Sequence, residues 1–217
     1  MTDNLKRVNE NIAVSAQKSG RVASDVILVA VTKSVELEEL QKMSGLQHVG
    51  ENRAQDLVAK QPNLDGLTWH FLGHLQRNKV GHVLGKVALI HSLDSLRLAE
   101  EISRVATLRD LTADVLIEVN IAEEASKYGM FCGQVLEFAE QVAQLPGVAL
   151  RGLMTMGPVD ATDSRRRSYF EKMAELHQDL NKMTQADYLS MGMSNDYELA
   201  IECGANIVRV GRGIFGK

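Results

Sequence analysis

Short runs of β-branched and aliphatic residues recur along this chain, each followed by a helix-like segment, and that alternation restricts the folds open to it. The first run, residues 26–31 within the stretch from Asp25 to Ser34, is almost continuously apolar. Such a run suits a central strand covered on both faces, as a parallel sheet requires. It stops abruptly at Lys33. Further strand-like runs lie at residues 46–50, 67–72, 87–90, 113–121, 148–154, 187–190 and 206–210. The run at 187–190 is short and broken by polar residues, so reading it as loop would remove one strand.

The segments between these runs carry helical signals. Val135, Phe138 and Val142 make one apolar stripe, and Phe170, Met173, Leu176 and Leu180 make another. His91–Ser95 is read as a turn entering a helix, and Ser194 as the cap of a helix ending near Cys203. Eight strands separated by helices predict an α/β chain forming a single (β/α)8 TIM barrel over residues 1–217, rather than a smaller doubly wound sheet. Leu5, Val8 and Ile12 are spaced by three and four, which predicts an additional N-terminal helix from Leu5 to Lys18. Few residues follow the eighth run, so the final helical segment is expected to be truncated.

At 217 residues and 45% hydrophobic the chain can bury a sizeable core, and with 5% aromatic residues that core must be mainly aliphatic. A net charge of -4 gives no general attraction to nucleic acid or to an anionic membrane. The polar N-terminal pattern lacks the apolar centre of a signal peptide, and no apolar stretch is long enough to cross a bilayer. Cys132 and Cys203 form neither a CxxC pair nor a disulfide framework, so a reducing cytoplasm is the expected location.

Lys33 falls at the C-terminal end of the first strand, where loops of α/β folds converge and ligands bind. A lysine there can be a solvated loop charge or an amine that forms a Schiff base with a carbonyl. In a closed barrel, strands eight and one are neighbours, which brings SMGMSN at 190–195 and RVGRG at 209–213 around Lys33. Their glycines and Ser194 can cradle a phosphate, although turns and caps explain many such glycines. Arg209 can point into the mouth toward a ring nitrogen or carboxylate, or outward to the surface. Arg212 is either a phosphate contact or a solvated charge. Glu51, Asn52, His70, His74, Glu118, Asn120 and Lys127 are further polar residues of the mouth, which can equally form local networks. The six histidines show no HExxH or other strong zinc spacing, and no metal site is expected. There is no GxSxG elbow, phosphate-binding Walker loop or early dinucleotide fingerprint.

Taken in order, VAVTK at 29–33, GEN at 50–52, WHFLGHLQRNK at 69–79, LRGLM at 150–154, MGMS at 191–194 and VRVGRGIFG at 208–216 closely resemble the pyridoxal phosphate homeostasis protein family. The barrel of that family is similar to the N-terminal domain of bacterial alanine racemase. The resemblance covers almost the whole chain. It implies that Lys33 forms the internal aldimine with pyridoxal 5'-phosphate, that Ser194 and the backbone of Gly211, Arg212 and Gly213 bind the phosphate, and that Arg209 faces the pyridine nitrogen. Asn52 and Met191 correspond to other cofactor-pocket positions. In place of the family's usual Thr or Ser followed by Ala, this chain has Arg212 and Gly213, which leaves Arg212 as the candidate replacement for the hydroxyl contact.

The function implied is a cytoplasmic carrier or regulator in vitamin B6 and amino-acid homeostasis, with no physiologically important catalysis. The alternative is a small pyridoxal phosphate-dependent amino-acid racemase. The β-rich racemase domain that supplies an opposite-face tyrosine has no counterpart here, and none of Tyr128, Tyr169, Tyr188 or Tyr197 is identified as a substitute. The expected partners are the cofactor and, transiently, apo-enzymes that receive it. Neither nucleic acid nor membrane is expected; the expected state is a monomer, with oligomerisation left open.

Overall fold

The computed structural model of the chain describes residues 2–124, 126–158 and 160–216. Eight strands pair in parallel and in chain order: β1 (Ile27–Val31), β2 (His48–Glu51), β3 (Thr68–Phe71), β4 (Leu89–Leu93), β5 (Ala113–Val119), β6 (Val148–Thr155), β7 (Tyr188–Ser190) and β8 (Ile207–Val210). Pairing of β8 with β1 closes the barrel, with Ile27 level with Ile207 and Val29 with Arg209. Around it lie α1 (Asp3–Lys18), α2 (Leu37–Gln41), α3 (Ala54–Lys60), α4 (Val80–Val83), α5 (Leu96–Leu108), α6 (Val135–Ala143), α7 (Asp163–Asn181), α8 (Tyr197–Glu202) and α9 (Arg212–Phe215). No described helix is long and apolar enough to cross a membrane.

The period of two along a strand divides the buried residues into two layers. Val29, Leu72, Leu89, Leu116, Met154 and Ile207 fill the barrel interior, flanked by Ile27, Val31 and Tyr188. Alternate residues such as Ala30, Val49, Phe71, Ile117, Leu153 and Val208 face the helices and form the larger outer core. At α1, Thr2 Oγ1 caps the helix by accepting from Leu5 N at 3.4 Å, and Leu5, Val8, Ile12 and Ala16 make the buried stripe. This helix packs on α8 and α9. Asn4 Nδ2 donates to Ile214 O at 3.2 Å, and Asn11 Nδ2 to Tyr197 Oη at 3.0 Å. The N-terminal helix thereby completes the outer ring beside the four-residue α9.

Two sequence expectations are corrected. The fourth strand is Leu89–Leu93 rather than residues 87–90, so His91 and Ser92 belong to a strand and not to a turn. Their polarity misleads because the barrel interior supplies His91 with partners. Ser194 is not a helix cap, since Asp196 occupies the N-cap position of α8 and Ser194 Oγ instead accepts from Gly213 N at 3.2 Å. The short seventh strand is present and pairs on both sides.

Gly152 marks the tightest point of the sheet. It sits where the β5–β6 register shifts, has φ of 143°, and a Cβ built there would lie 1.8 Å from the Tyr188 carbonyl oxygen. Backbone on the neighbouring strand cannot yield as a flexible side chain can. Gly152→Ala is therefore expected to destabilise the protein by about 3 kcal/mol, the upper part of the ordinary overpacking range. Urea unfolding followed by far-UV circular dichroism measures this, and an unchanged midpoint would refute it.

Candidate functional site

Ile27, Val29 and Val31 point into the barrel, and the same alternation carries Lys33 to the interior side just above the last strand residue. The backbone of the preceding residue, Thr32, is tied down from both sides. Thr32 N donates to Gly50 O at 3.0 Å, and Lys60 Nζ donates to Thr32 O at 2.9 Å. Lys60 also meets Glu51 Oε1 at 2.7 Å, and the same carboxylate oxygen accepts from Thr32 Oγ1 at 2.6 Å. Glu51 is fully buried, so this ion pair is shielded from water and holds β1, β2 and α3 together. After Lys33 the chain turns sharply through Ser34, which has φ of 63°. Lys33 remains exposed, and no hydrogen bond or ion pair engages its amine among the described residues.

Beside Lys33 lies a cavity of about 430 Å³, lined also by Met193, Ser194, Arg209, Gly211 and Arg212. β8 leads straight into it: Ala30 pairs with Val210, so the next residue, Gly211, passes over Val31, where a Cβ would stand 3.3 Å from the Val31 carbonyl oxygen. At Gly213 a Cβ would come within 2.9 Å of Val210 Cγ1. Glycine thus lets the chain fold tightly back as α9 begins. Because Ser194 Oγ accepts from Gly213 N, its own hydroxyl hydrogen remains available to an anion in the cavity. Arg212 is exposed at the rim. Hydroxyl, first-turn N–H groups and guanidinium are the donor set that a phosphate requires.

Arg209 takes the inward orientation. It is 4% exposed, its Nη1 donates to Ser190 Oγ at 2.5 Å and its Nη2 to Thr155 O at 2.8 Å. Burial lowers its pKa to about 10, against the raising influence of Glu118 and Asp196. At neutral pH the group is still a cation, with its remaining N–H groups available at the cavity wall. A larger cleft of about 580 Å³ lies outside the barrel between α7 and α8 and shares Ser194 with this site. Its walls carry Asp163, Asp196, Glu198 and Glu202 against one cation, Arg167, a net negative lining that disfavours an anion, and Lys33 is not among them.

The family described as "Alanine racemase, N-terminal domain" matches residues 4–217. A pyridoxal phosphate homeostasis protein of Aquifex aeolicus is 41% identical, over 99% of this chain and 97% of its own length. The chain belongs to the pyridoxal phosphate homeostasis protein family. Among solved structures, a protein of unknown function from Bifidobacterium adolescentis has a TM-score of 0.94 and 36% identity, covering 98% of this chain and 93% of that one. PipY of Synechococcus elongatus, solved with PLP bound, has a TM-score of 0.83 and 32% identity, covering 94% of this chain and 100% of that one.

The structure brings Lys33, Ser194, Arg209, Gly211 and Arg212 to one cavity, with Gly213 behind Ser194, but it does not bring Met191 there. Ser190 faces the barrel interior, so Met191, one residue on, turns to the outer core and is fully buried, while Met193 takes the cavity wall. Asn52 lies outside that lining. Its Oδ1 is buried without a partner among the described residues, and the Asn52 carbonyl is so close to Gly73 that a Cβ there would sit 2.2 Å from it. Thr32, Lys60, Thr155, Ser190 and Met193 were not singled out from the sequence. Strand parity could have found Ser190 and Met193; the partners of Thr32 and Arg209 depend on pairings across the barrel.

Glu118 ends the inward series of β5 and lines an adjoining cavity of about 270 Å³ with Lys127, Tyr128 and Met193. Tyr128 stacks on His74, which contacts Asp94 at 3.0 Å. Burial, reinforced by Asp94 and opposed by Arg209, raises the Glu118 pKa from 4.5 to about 7. A raised folded-state value means that the stabilising contribution is complete below pH 4.5 and is lost as pH rises through 7. A shift from 4.5 to about 7 corresponds to about 3 kcal/mol. The stability of the parent relative to Glu118→Gln is thus expected to fall by about 3 kcal/mol between pH 4 and pH 8. Urea titrations across that range check this, and a difference independent of pH would refute it.

Proposed function

We propose that this chain is a cytoplasmic pyridoxal 5'-phosphate carrier and regulator of vitamin B6 and amino-acid homeostasis, the described barrel acting as one cofactor-binding unit. The observation that carries the reading is the Lys33 amine, unpaired among the described residues, in the same cavity as Ser194, Gly211 and Arg212. A full-length relative solved with PLP bound supports it. When bound, the cofactor supplies an aldehyde that condenses with a primary amine and releases water.

The residues fit that group. Lys33 supplies the amine, and the Thr32 backbone just before it is fixed by Gly50 and Lys60. Ser194 donates its free hydroxyl hydrogen to the phosphate, the backbone N–H of Arg212 at the start of α9 adds to it, and the Arg212 guanidinium closes the rim as a charge-assisted donor. Arg209 presents N–H groups and, at neutral pH, a positive charge, so it offers the ring nitrogen a donor and opposes a proton there. Such a site suits retention of the cofactor better than strong carbanion chemistry. Asn52 lies outside the cavity lining, and its buried Oδ1 without a described partner is what keeps it a cofactor-pocket candidate. Free thiols at Cys132 and Cys203 accord with the cytoplasm, and we take a monomer handing cofactor to apo-enzymes as the working state.

The racemase alternative draws on the matching family's description. It demands a second base opposite the lysine, and simple attachment at Lys33 does not provide one. Tyr128, at the mouth, is stacked on His74, whereas Tyr197 is engaged on the outside by Asn11. Incubating cofactor-loaded protein with a panel of amino acids, and separately with an apo-enzyme, distinguishes the readings. Cofactor transfer with slow or no inversion is expected; fast, Lys33-dependent inversion without transfer would reverse the order.

Borohydride reduction of the loaded protein followed by peptide mapping is expected to find the cofactor on Lys33, and attachment to another lysine would refute the assignment. Ser194→Ala and Arg212→Ala are expected each to weaken pyridoxal phosphate binding by about 1.5–3 kcal/mol, the range for hydrogen bonds to charged groups. Binding of unphosphorylated pyridoxal should be nearly unchanged. Calorimetric titration with both ligands reads the difference, and equal losses for the two would refute side-chain recognition of the phosphate.

A further inference from the structure

Three histidines stand in single file inside the barrel. Gly50 pairs with His70, and His70 with Leu89, so His48 lies two residues below His70 and His91 two residues above it. Each offset rises about 6.6 Å along the strands, and its even value keeps all three side chains on the inward face. His48 Nδ1 is 3.0 Å from His70 Nε2, His70 Nδ1 is 2.9 Å from His91 Nε2, and His91 Nδ1 is 3.0 Å from Ser190 Oγ. Ser190 Oγ also accepts from Arg209 Nη1. The file therefore runs from half-buried His48, beside a cleft of about 410 Å³ under α1, to the guanidinium of the Lys33 cavity.

Counting hydrogens decides the direction of these bonds. A neutral imidazole has one N–H and one acceptor nitrogen. Burial holds His70 at about 3, helped by His48, and holds His91 well below its ordinary value, helped by His70 and Arg209, so both are neutral at pH 7. Two proton orders then satisfy the contacts between histidines. If the N–H groups point toward Ser190, the serine oxygen receives from His91 and Arg209 together, and its own hydrogen has no acceptor among the described residues in a fully buried position. If they point the other way, Ser190 donates to His91 Nδ1, His91 Nε2–H to His70 Nδ1, and His70 Nε2–H to His48 Nδ1. The last N–H, at His48 Nε2, then meets the open cleft. Only this second order leaves no buried donor of the file unmatched, and an unmatched buried donor costs about 1–3 kcal/mol.

We propose that His48, His70, His91 and Ser190 form a proton-ordered positioning chain for Arg209. By donating to Ser190, Arg209 commits all three rings to the Nε2–H tautomer. The chain in return commits the serine hydrogen to His91 and keeps a lone pair of Ser190 on the guanidinium. Together with Thr155 O this holds Arg209 at two points, and its other N–H groups are kept for the cavity. None of these four residues lines the cavity, and only Ser190 reaches a lining residue, so their effect on the site passes through Arg209. The inference concerns the arginine and holds with or without the cofactor.

The test uses the cofactor-free full chain labelled with ¹⁵N at histidine and arginine, studied by NMR at pH 7. Nitrogen shifts and two-bond couplings identify the tautomer of each ring, with assignment by single His→Gln variants. Nε2–H at His91, His70 and His48 is expected, and Nδ1–H at His70 or His91 would overturn the proposal. A second arm follows exchange of the Arg209 guanidinium hydrogens in His91→Leu and His91→Asn. The Leu variant removes the acceptor of the Ser190 hydrogen and is expected to speed exchange about tenfold. The Asn variant, whose side-chain carbonyl can accept that hydrogen, should restore most of the protection; equal loss in both would mean that His91 merely fills space and would overturn the positioning role. Should either variant fail to fold, the tautomers of the parent protein decide alone. Calorimetric binding of pyridoxal phosphate to the parent is scored separately, so a protein with ordered tautomers and no cofactor affinity refutes the proposed function and leaves this chain intact.

Discussion

The seam between β8 and β1 is the pairing on which the rest of the site depends. It joins the two ends of the sheet, sets Val29 level with Arg209, and carries the loop after β8 across the end of β1. Without it, Lys33 and the Gly211–Gly213 turn would lie on opposite edges of an open sheet. Closure also removes both exposed edges, so every strand finds partners within the barrel. The cost is that polar groups pointing inward lose most of their water and must satisfy one another.

This requirement explains the uneven filling of the interior. Ile27, Val29, Leu72, Leu89, Leu116 and Ile207 provide an apolar packing layer, whereas His70, His91, Ser190, Glu118 and Arg209 introduce polar groups among them. Arg209 can remain charged because Ser190, Thr155 and the nearby carboxyls offset its desolvation. The same burial keeps His70 and His91 neutral, which prevents three adjacent rings from accumulating charge beside the guanidinium. A second buried network, Thr32–Glu51–Lys60, fixes the backbone immediately before Lys33. The Lys33 amine thus extends from a fixed stem while remaining without a carboxylate partner among the described residues. Rigidity of the supporting strand and freedom of the amine are separable properties, and different residues provide them.

The eight strands in order, the N-terminal helix and the exposed end of β1 could be read from hydrophobic periodicity, which is a local property, although it places the fourth strand too early. Lys33, Ser194, Arg209, Gly211 and Arg212 could be nominated because they flank those strands, and the ordered motifs supplied the cofactor's identity by resemblance. Local polarity was a poor guide where the barrel supplied distant partners: His91 looks like turn and is strand. Ser194 looks like a helix cap, yet its hydroxyl receives the Gly213 N–H from the far side of α8. Met191 and Met193 differ only in which side of the chain they occupy after β7, and the inward direction of Ser190 decides between them.

The sequence by itself therefore determined the number and kind of elements, and the residues available at the strand ends, because burial patterns and turn chemistry act over a few neighbouring positions. Only the tertiary structure decided which polar groups meet. His48, His70, His91, Ser190 and Arg209 come from five different strands, and their contacts exist only for one register and one closure of the barrel. Hydrogen bonds require partners within about 3 Å, and that proximity is fixed by the path of the whole chain rather than by any segment of it.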